Sequence, residues 1–482
     1  MSLARQKQYR YNFFNFNQYS LSDNRMNRYK QLAARFIQDI ESGKLNPGDR
    51  MLSLRQFARQ HGISVSTAVS CYAELESQGW LIARPQSGFF IAHREPLTPP
   101  PEWQPFNSQV ATPAVTRQRT LSPCGPLGTS RLQLDPTTKR ALERSLRRAM
   151  KRAADNITYY PEPQGESVLR LALAEHFTQC GFPLSSRELV ITQGCMDAVR
   201  HALQVCTQPG DTVAVSSPCY NGLLDLLSQL SLRVLEIPSL PDGIDLDQFE
   251  TKLQQHEVQA GLFCTTHMNP QGITLSNAQK QRLAQLANQY QVPVIEDDVY
   301  FELPHSSQAS LPACYHDQGG YILWCGSVSK TLSPSYRLGW CRPGRFLSAY
   351  SRRALGVPTL IQYALADFIA SGAYTTHLKR ARQQLKQQKM CYQKYLSQHL
   401  PSGSRMTQPD GGLVLWIQVP NLNAQALGTA AKQSGLDIRI GPWFTESDRY
   451  RDCLRINIGF ALDEYIEQEL QRLITLIEHH IE

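Results

Sequence analysis

Apolar residues in the N-terminal part of the chain recur at helical spacing and are interrupted by turn-forming residues. This pattern predicts three short helices followed by two short strands, at about 27–42, 53–61, 65–78, 80–84 and 89–92. Gly62 can end the second helix, and Gly88 can close the turn between the strands. Three helices followed by a β-hairpin predict a winged helix-turn-helix.

The pattern changes twice further along the chain. Prolines and polar residues dominate from 94 to 126 without periodicity, which predicts a linker that is semi-rigid at Pro99-Pro100-Pro101. Beyond it, helical stretches alternate with strand-like apolar runs, which lie at 189–192, 212–216, 262–265, 292–296 and 322–324. Such alternation predicts an α/β fold around a mostly parallel sheet.

These changes predict a multidomain chain. A chain of 482 residues, 41% of them hydrophobic, exceeds what one core usually organises. The predicted parts are a basic and polar N-terminal extension, a winged helix-turn-helix domain, a proline-rich linker and a large α/β domain, at 1–25, 26–93, 94–126 and 127–482.

Basic residues are concentrated near the N-terminus. The formal net charge of the chain is +8, and residues 1–94 hold thirteen lysines and arginines against six acidic residues. This asymmetry is typical of a segment that binds nucleic acid, although a solvated basic surface is the simpler alternative.

The remaining composition indicates a cytoplasmic protein. The sequence has no apolar run of about 18 residues and no signal-peptide pattern, so we expect neither membrane insertion nor export. The twelve cysteines include no Cys-x-x-Cys pair and lie near no histidine doublet. We therefore expect no disulfide framework and no zinc or other metal site, which fits a reducing compartment.

The third predicted helix is the candidate for reading DNA. In a helix-turn-helix, the N-terminal side chains of the second paired helix reach base edges in the major groove, and the preceding helix touches phosphates. The residues placed to contact DNA are Arg55, Ser64, Ser66, Thr67, Ser70 and Gly88. Arg55 suits a phosphate, and Gly88 would let the wing approach the backbone closely. A helix-turn-helix can also be a packing unit that binds no DNA.

From Tyr29 to Ile91 the sequence resembles the GntR family of winged-helix regulators. The matching stretch is LNPGDRMLSLRQFARQHGISVSTAVSCYAELESQGWLIARPQSGFFI. The resemblance implies that the domain binds an operator in double-stranded DNA as a dimer. Val65 stands where many members carry an arginine in the recognition helix, so DNA shape or the basic N-terminal extension is expected to share in recognition.

A lysine at the end of a predicted strand is the candidate for covalent chemistry. Lys330 lies among serines, and Arg337 follows seven residues later. An amine in this setting can form a Schiff base while neighbouring groups hold a phosphate, and pyridoxal-phosphate chemistry needs both. A single lysine is more often a solvated surface charge, so this interpretation depends on the residues that accompany it.

Two more predicted strands end in side chains that suit a pyridine ring. Asp297 and Tyr300 follow one strand and Asn269 follows another, at the sheet edge where open α/β sheets bind ligands. An aspartate can keep the ring nitrogen protonated, and a phenol and an amide can bond the ring hydroxyl. Two adjacent acids alone would more often be surface charges or helix caps.

Two further strand-to-helix turns complete this set. Cys195 and Met196 begin a predicted helix, where backbone N–H groups form a ready phosphate site. Tyr220 follows the next strand and can stack on a pyridine ring. A buried core tyrosine is the simpler alternative for Tyr220.

From about Leu121 to the C-terminus, these residues in this order resemble the fold-type I pyridoxal-phosphate aminotransferases. The residues implied to hold pyridoxal 5'-phosphate are Cys195, Met196, Tyr220, Asn269, Asp297, Tyr300, Ser327, Lys330 and Arg337. The resemblance also implies that Arg455 binds an α-carboxylate and that Tyr160 reaches the phosphate of the neighbouring subunit, which completes the site in a dimer. Gln271 is a departure, since threonine is commoner at that position.

The two halves together look like the MocR subfamily of GntR-type regulators. This resemblance implies a homodimeric transcription regulator whose aminotransferase-like domain senses pyridoxal phosphate, an amine or an amino acid through aldimine chemistry at Lys330. Two alternatives stay open. One is a working aminotransferase with an accessory DNA-binding domain, and the other is a regulator whose effector is the cofactor itself, with Arg455 in a structural role.

Overall fold

The computed structural model of the protein describes residues 28–41, 44–77, 79–84, 87–92, 98–113, 125–153, 156–305 and 310–482. The chain divides into two compact units between Pro96 and Leu97. The predicted extension at 1–25 lies outside the described residues, as do the parts of the predicted linker at 94–97 and 114–124.

The first unit has the elements of a winged helix-turn-helix. Its described residues form α1 (Arg28–Glu41), α2 (Leu54–Gln60), α3 (Val65–Ser77) and an antiparallel hairpin of β1 (Leu81–Arg84) and β2 (Gly88–Ile91). All of the predicted elements in this segment are therefore confirmed to within two residues. Ser53 caps α2 because its hydroxyl accepts the backbone N–H of Gln56, whose side chain accepts the N–H of Ser53 at 3.2 Å.

The inward face of α3 holds the first unit together. Ala68, Cys71, Tyr72 and Leu75 are completely buried, as the apolar pattern predicts. The hydroxyl of Tyr72 donates to the carbonyl of Leu52 at 2.9 Å, which satisfies the polar end of this buried ring. This packing leaves the opposite face of α3 exposed.

The second unit is an α/β domain with an additional C-terminal sheet. Its helices in the described residues are α4 (Pro136–Arg152), α5 (Ser167–Gln179), α6 (Cys195–Cys206), α7 (Asn221–Gln229), α8 (Leu246–Gln254), α9 (Asn277–Tyr290), α10 (Leu347–Ser351), α11 (Thr359–Ala370), α12 (Ala373–His399), α13 (Ala424–Gln433) and α14 (Glu464–Glu478). Its strands there are β3 (Val110–Ala111), β4 (Val190–Thr192), β5 (Thr212–Ser217), β6 (Arg233–Leu240), β7 (Gly243–Ile244), β8 (Ala260–Phe263), β9 (Val294–Asp297), β10 (Ile322–Ser327), β11 (Gly339–Arg342), β12 (Arg405–Met406), β13 (Val414–Gln418), β14 (Arg439–Ile440) and β15 (Cys453–Asn457). No helix in the described part of the chain is long and apolar enough to cross a bilayer.

The main sheet is mostly parallel, as predicted. Its strand order is β3-β6-β5-β8-β9-β10-β11-β4, with β7 paired to β6. The five central strands from β6 to β10 run parallel, and β11 pairs antiparallel with both of its neighbours. Helices cover the sheet, so the central strands are buried on both faces and their burial does not alternate. The carboxyl ends of β8, β9 and β10 meet at one edge, which is where the predicted site residues follow.

The C-terminal sheet is antiparallel, with the order β12-β13-β15-β14. Leu415 and Ile417 on β13 and Leu454 on β15 belong to an apolar core shared with α13 and α14. Side chains alternate across a strand, so Trp416 and Arg455 lie on the other face of this sheet. The sheet therefore presents a buried arginine on the face opposite its own core.

Part of the predicted linker is packed on the second unit. Met406 donates its backbone N–H to the carbonyl of Pro99 at 2.8 Å, and Val110 pairs with Leu235 on β6. The ring of Phe106 lies 3.6 Å from the guanidinium carbon of Arg449. The described residues 98–113, which were predicted to belong to a semi-rigid linker, are therefore packed on the second unit. Aromatic side chains and unpaired carbonyls give a proline-rich stretch enough to bury and bond.

Candidate cofactor site and DNA-binding surface

A buried cavity lies at the carboxyl edge of the main sheet. Nine residues named from the sequence line it, namely Cys195, Met196, Tyr220, Asn269, Asp297, Tyr300, Ser327, Lys330 and Arg337. Its volume is about 160 Å³. The structure therefore brings together side chains that lie more than a hundred residues apart, at the edge where open α/β sheets bind ligands.

Lys330 provides an amine inside this cavity. It follows β10, and its Nζ donates to the backbone carbonyl of Ser130 at 2.8 Å. The pKa of Lys330 is lowered to about 8, mainly by burial. The positive charge of Arg455 also lowers this pKa, by more than the carboxylate of Asp297 raises it. A much larger share of this amine is neutral near neutral pH than for an exposed lysine.

Asp297 ends β9 and is buried. Its Oδ1 accepts a hydrogen bond from the Sγ of Cys195 at 3.1 Å. Burial raises the pKa of Asp297 to about 6, and the adjacent carboxylate of Asp298 also raises it. The sequence predicted a role for Cys195 only through its backbone amide, and the contact between its thiol and this carboxylate is an additional finding.

The start of α6 is shaped by two glycines. Gly194 precedes Cys195 with a φ of +89°, a region that L side chains rarely adopt. A Cβ on Gly339 would lie 2.8 Å from the backbone nitrogen of Cys195, so β11 packs directly against this turn. The guanidinium of Arg337 donates to the carbonyl of Gln193 at 3.1 Å. A cation and the first N–H groups of a helix therefore lie together, which suits an anion.

Arg455 reaches the wall of the cavity from β15. It is 3% exposed, and its guanidinium donates to the Oδ1 of Asn269 at 3.1 Å and to the carbonyl of Gly128. Burial lowers the pKa of Arg455 to about 10. Its Nε is buried and has no hydrogen-bond partner among the described residues. A buried guanidinium whose Nε–H has no hydrogen-bond partner is suited to bind a carboxylate.

One loop that the sequence did not single out joins these groups. The hydroxyls of Ser130 and Tyr300 are 3.0 Å apart, and the carbonyls of Gly128 and Ser130 accept hydrogen bonds from Arg455 and Lys330. These acceptors are mostly backbone carbonyls, which every residue type carries. The only sequence signal was the pair of small residues at Gly125 and Gly128 ahead of α4.

Tyr160 lies outside the cavity of its own chain. Its side chain is fully exposed between α4 and α5. Ile157, Tyr159 and Leu355 are also exposed, and Leu355 precedes a glycine that packs against Pro161. We call Ile157, Tyr159, Tyr160 and Leu355 the tyrosine patch. An exposed apolar patch of this kind is typical of a surface that meets another protein.

The residues named for DNA binding lie on the exposed side of the first unit. Ser64 accepts the backbone N–H of Thr67 at 3.1 Å, and its Oγ lies 2.8 Å from the hydroxyls of both Ser66 and Thr67. Ser70 donates to the carbonyl of Ser66 at 3.1 Å. The hydroxyls on this face therefore have partners within the helix itself.

The wing and α2 add positive charge beside α3. Arg55 is exposed in the first turn of α2, and Gly88 has a φ of +98° at the tip of the wing. Arg50 lies next to that glycine, since a Cβ on Gly88 would be 3.7 Å from its guanidinium. The sequence analysis did not name Arg50, because only the folded hairpin brings it to the wing.

Family comparisons cover both units. The model for bacterial regulatory proteins of the gntR family matches residues 28–91, and the model for aminotransferase class I and II matches residues 126–473. The chain is 34% identical to the HTH-type transcriptional regulator YdcR of Escherichia coli, over 95% of this chain and 100% of YdcR. It is 30% identical to YjiR of the same organism, over 93% of this chain and 98% of YjiR.

Solved structures resemble the second unit. The multiple substrate aminotransferase of Thermococcus profundus gives a TM-score of 0.66 at 24% identity, over 76% of this chain and 93% of that one. The α-aminoadipate aminotransferase LysN of Thermus thermophilus gives 0.65 at 23% identity, over 74% of this chain and 92% of that one. These likenesses show the fold of the second unit. The chain belongs to the family of HTH-type transcriptional regulators that join a GntR DNA-binding domain to an aminotransferase class I and II domain, a combination consistent with the MocR subfamily.

Proposed function

We propose that the chain is a transcription regulator that binds pyridoxal phosphate at Lys330 and responds to an amine or amino acid with a change in operator affinity. One observation carries the proposal. Lys330 and Asp297 line a single buried cavity, and Arg455 is bonded to Asn269 on its wall. A chain that joins a DNA-binding domain to such a site can bind an operator and a small-molecule effector at once, which sensing requires.

The donor set of the cavity fits pyridoxal 5'-phosphate, the cofactor that the aminotransferase fold implies. Asp297 is a buried carboxylate that gains stability from a positively charged partner, as a protonated ring nitrogen would be. Arg337 and the N-terminal amides of α6 suit a phosphate, and Asn269 with Tyr300 suits the ring oxygen. Tyr220 supplies an aromatic face on the cavity wall.

When bound, pyridoxal phosphate supplies an aldehyde that condenses reversibly with primary amines and a ring that withdraws electrons. The chain contributes the neutral amine of Lys330, which its lowered pKa makes available. Asp297 would hold a negative charge that stabilises a protonated ring nitrogen. The cavity is buried, so its walls exclude water from the reacting amine.

Arg455 provides the means to select an effector that bears a carboxylate. Its planar guanidinium can bind a carboxylate through two parallel hydrogen bonds, a geometry that lysine cannot reproduce. Its contact with Asn269 couples this group to the wall of the cofactor cavity. An effector with both an amine and a carboxylate could therefore place its amine at the Lys330 site while Arg455 binds its carboxylate.

Regulation follows from linkage between the two kinds of binding. An effector that binds one domain arrangement more tightly than another shifts the population toward the first, by an amount set by the ratio of the two affinities. An amine that binds both arrangements equally has no effect. The proposal therefore requires that amine binding and operator affinity depend on each other.

The proposed regulator acts as a cytoplasmic homodimer. The tyrosine patch supports this, because it exposes apolar side chains around Tyr160, the residue expected to reach the partner's phosphate. Leu355→Arg places a charge in this patch and is expected to give a monomer in sedimentation, with weaker cofactor binding. Leu171→Arg, at another exposed leucine on α5, serves as the matched control. A dimer that survives Leu355→Arg would count against this interface.

An absorbance spectrum tests cofactor binding directly. Purified protein supplied with pyridoxal phosphate should develop a band near about 420 nm that a primary amine shifts. Lys330→Arg keeps the positive charge but lacks the condensing amine, so this variant should not develop that band. A wild type that stays colourless would remove the sensing function and leave only a DNA-binding protein.

A working aminotransferase is the second candidate. Lys330 and Asp297 line the cavity and Arg455 is bonded to Asn269 on its wall, which gives the lysine, the aspartate and the arginine that transamination needs. Steady-state turnover of an amino donor with a keto acid at ordinary enzymatic rates, together with no sequence-specific DNA binding, would favour this candidate.

A further inference from the structure

Two valines stand on the DNA-facing side of α3. Val65 and Val69 have 48% and 46% of their surface exposed, although most valines in proteins are buried. They are four residues apart, so they lie on the same side of the helix, about 6 Å from each other along its axis. This rise is close to two base-pair steps of B-DNA, at about 3.4 Å each.

The polar groups around the valines are already bonded within the helix. The Oγ of Ser64 accepts the backbone N–H of Thr67 and lies 2.8 Å from the hydroxyls of Ser66 and Thr67, and Ser70 donates to a backbone carbonyl one turn earlier. Each of these hydroxyls already makes a hydrogen bond within the helix, which leaves it fewer free directions for a base edge. The methyl groups of the valines make no hydrogen bonds and are free to contact an apolar group.

The helix also lacks the side chains that read purines. Between Gly62 and Ser77 there is no arginine, lysine, asparagine or glutamine. Bidentate reading of guanine needs arginine or lysine, and bidentate reading of adenine needs asparagine or glutamine. The base feature that an apolar side chain recognises in the major groove is the C5-methyl group of thymine.

We infer that Val65 and Val69 read thymine methyl groups, so that the operator carries A·T pairs where it faces α3. This inference rests on operator binding by the first unit and names the base that this unit selects. Charge supports DNA as the occupant of this face, because Arg55 and Arg59 are exposed on α2, which packs against α3, and Arg50 is exposed next to Gly88 at the tip of the wing. The acidic residues of α3, Glu74 and Glu76, lie toward its other end.

Uracil substitution tests the inference with a change of one methyl group. The full-length chain first selects its binding sites from a pool of random duplexes. Each thymine of the selected site is then replaced in turn by uracil, which keeps every hydrogen-bonding group of the base. Binding should weaken about fourfold at each thymine that contacts a valine, which is the effect of losing one buried methyl group.

Alanine variants of the two valines show which valine contacts which thymine. In Val65→Ala the uracil penalty should vanish at one thymine, and in Val69→Ala it should vanish at another, as a double-mutant cycle requires for a direct contact. Alanine favours helix, so both variants should keep the thermal unfolding midpoint of the wild type. Ile82→Ala removes an equally exposed apolar side chain from β1 and should retain both penalties.

The outcomes separate this inference from the proposed function. Enrichment of a site whose affinity is unchanged by uracil at every thymine contradicts the reading of methyl groups while operator binding stands. Uracil penalties that persist unchanged in both alanine variants contradict it as well. If no sequence is enriched from the pool, operator binding itself fails, and the inference fails with it.

Discussion

Lys330 and Arg455 are held by carbonyls two residues apart on one loop. Lys330 donates to the carbonyl of Ser130 at 2.8 Å, and Arg455 donates to the carbonyl of Gly128. Asp437 fixes this loop, because its carboxylate accepts the N–H of Gly125 at 3.0 Å and is fully buried. The spacing between the amine of Lys330 and the guanidinium of Arg455 therefore depends on Asp437, which anchors the loop that bonds both of them.

Asp437→Asn tests this dependence. The variant removes the charge from three hydrogen bonds, including one from Arg439, and charge-assisted bonds contribute about 1.5–3 kcal/mol each. The amine concentration that half-shifts the absorbance band should rise at least about tenfold. The band formed with pyridoxal phosphate alone should survive, because Lys330 keeps its neighbours in the cavity. Equal loss of both signals would indicate a general unfolding instead.

The pH dependence of cofactor capture tests the lowered pKa of Lys330. Only the neutral amine condenses, so the capture rate should rise with pH and reach half its maximum near pH 8, the pKa of Lys330. The charge of Arg455 is a main cause of the lowering after burial, so Arg455→Gln should move this midpoint upward. Arg337→Gln should slow capture by weakening phosphate binding but should move the midpoint much less than Arg455→Gln, because the charge of Arg337 contributes least among the causes. A midpoint near the value of a free lysine would contradict the buried setting.

Gly339→Ala tests the shape of the anion site. A Cβ at this position would press on the backbone nitrogen of Cys195 at 2.8 Å, and overpacking of this kind costs about 1–3 kcal/mol. Cofactor affinity should fall about tenfold or more. Gly210→Ala is the control for backbone strain alone: its φ of +92° is unfavourable for an L residue, but a Cβ there meets nothing within 4 Å, so stability should fall while cofactor affinity stays unchanged. Unchanged affinity in Gly339→Ala would show that the start of α6 does not hold the phosphate.

A buried ion pair near Lys330 sets a pH window for stability. His176 and Glu302 are 2.5 Å apart and almost fully buried. Although burial opposes it, the carboxylate raises the pKa of His176 to about 10, and the histidine lowers the pKa of Glu302. The histidine's contribution to stability is full below its unfolded pKa of 6.5 and is lost as pH rises toward 10. The contribution of the Glu302 carboxylate to stability is full above its unfolded pKa of 4.5 and is lost as the pH falls through its lower pKa in the folded chain.

Glu302→Gln measures this pair. Removing one partner of a buried ion pair leaves the other charge uncompensated, so the free energy of unfolding should fall by about 3–5 kcal/mol in denaturant titration. Asp448→Asn, in an exposed pair with Arg451, should change it by less than about 1 kcal/mol. A loss in Glu302→Gln as small as that of the control would argue against the pair.

The sequence predicted elements whose signals are local and missed those that depend on distant partners. The apolar runs of β4, β5 and β9 were found within two residues and that of β10 within three, because helices bury both faces of these strands. Strand β6 was missed because it contains Glu236 and Pro238, which rarely occupy a central strand. The fold satisfies Glu236 with hydroxyls from Ser217 and Thr445, which no local pattern shows.

The candidate site divides in the same way. Side chains in recognisable motifs, such as Lys330 and Asp297, could be named in advance and line one cavity. The carbonyls of Gly128 and Ser130 could not, because a backbone acceptor has no residue type of its own. The packing of residues 98–113 on the second unit was also missed, since proline-rich composition reports a stiff chain but not what it touches.

Operator affinity measured while amines are titrated tests the central claim most directly. The wild type loaded with pyridoxal phosphate should show a change in operator affinity for at least one amine or amino acid, and Lys330→Ala should show none with the same compounds. Equal responses in the two proteins, or a wild type whose operator affinity no amine alters, would contradict the account of Lys330 as the sensing residue.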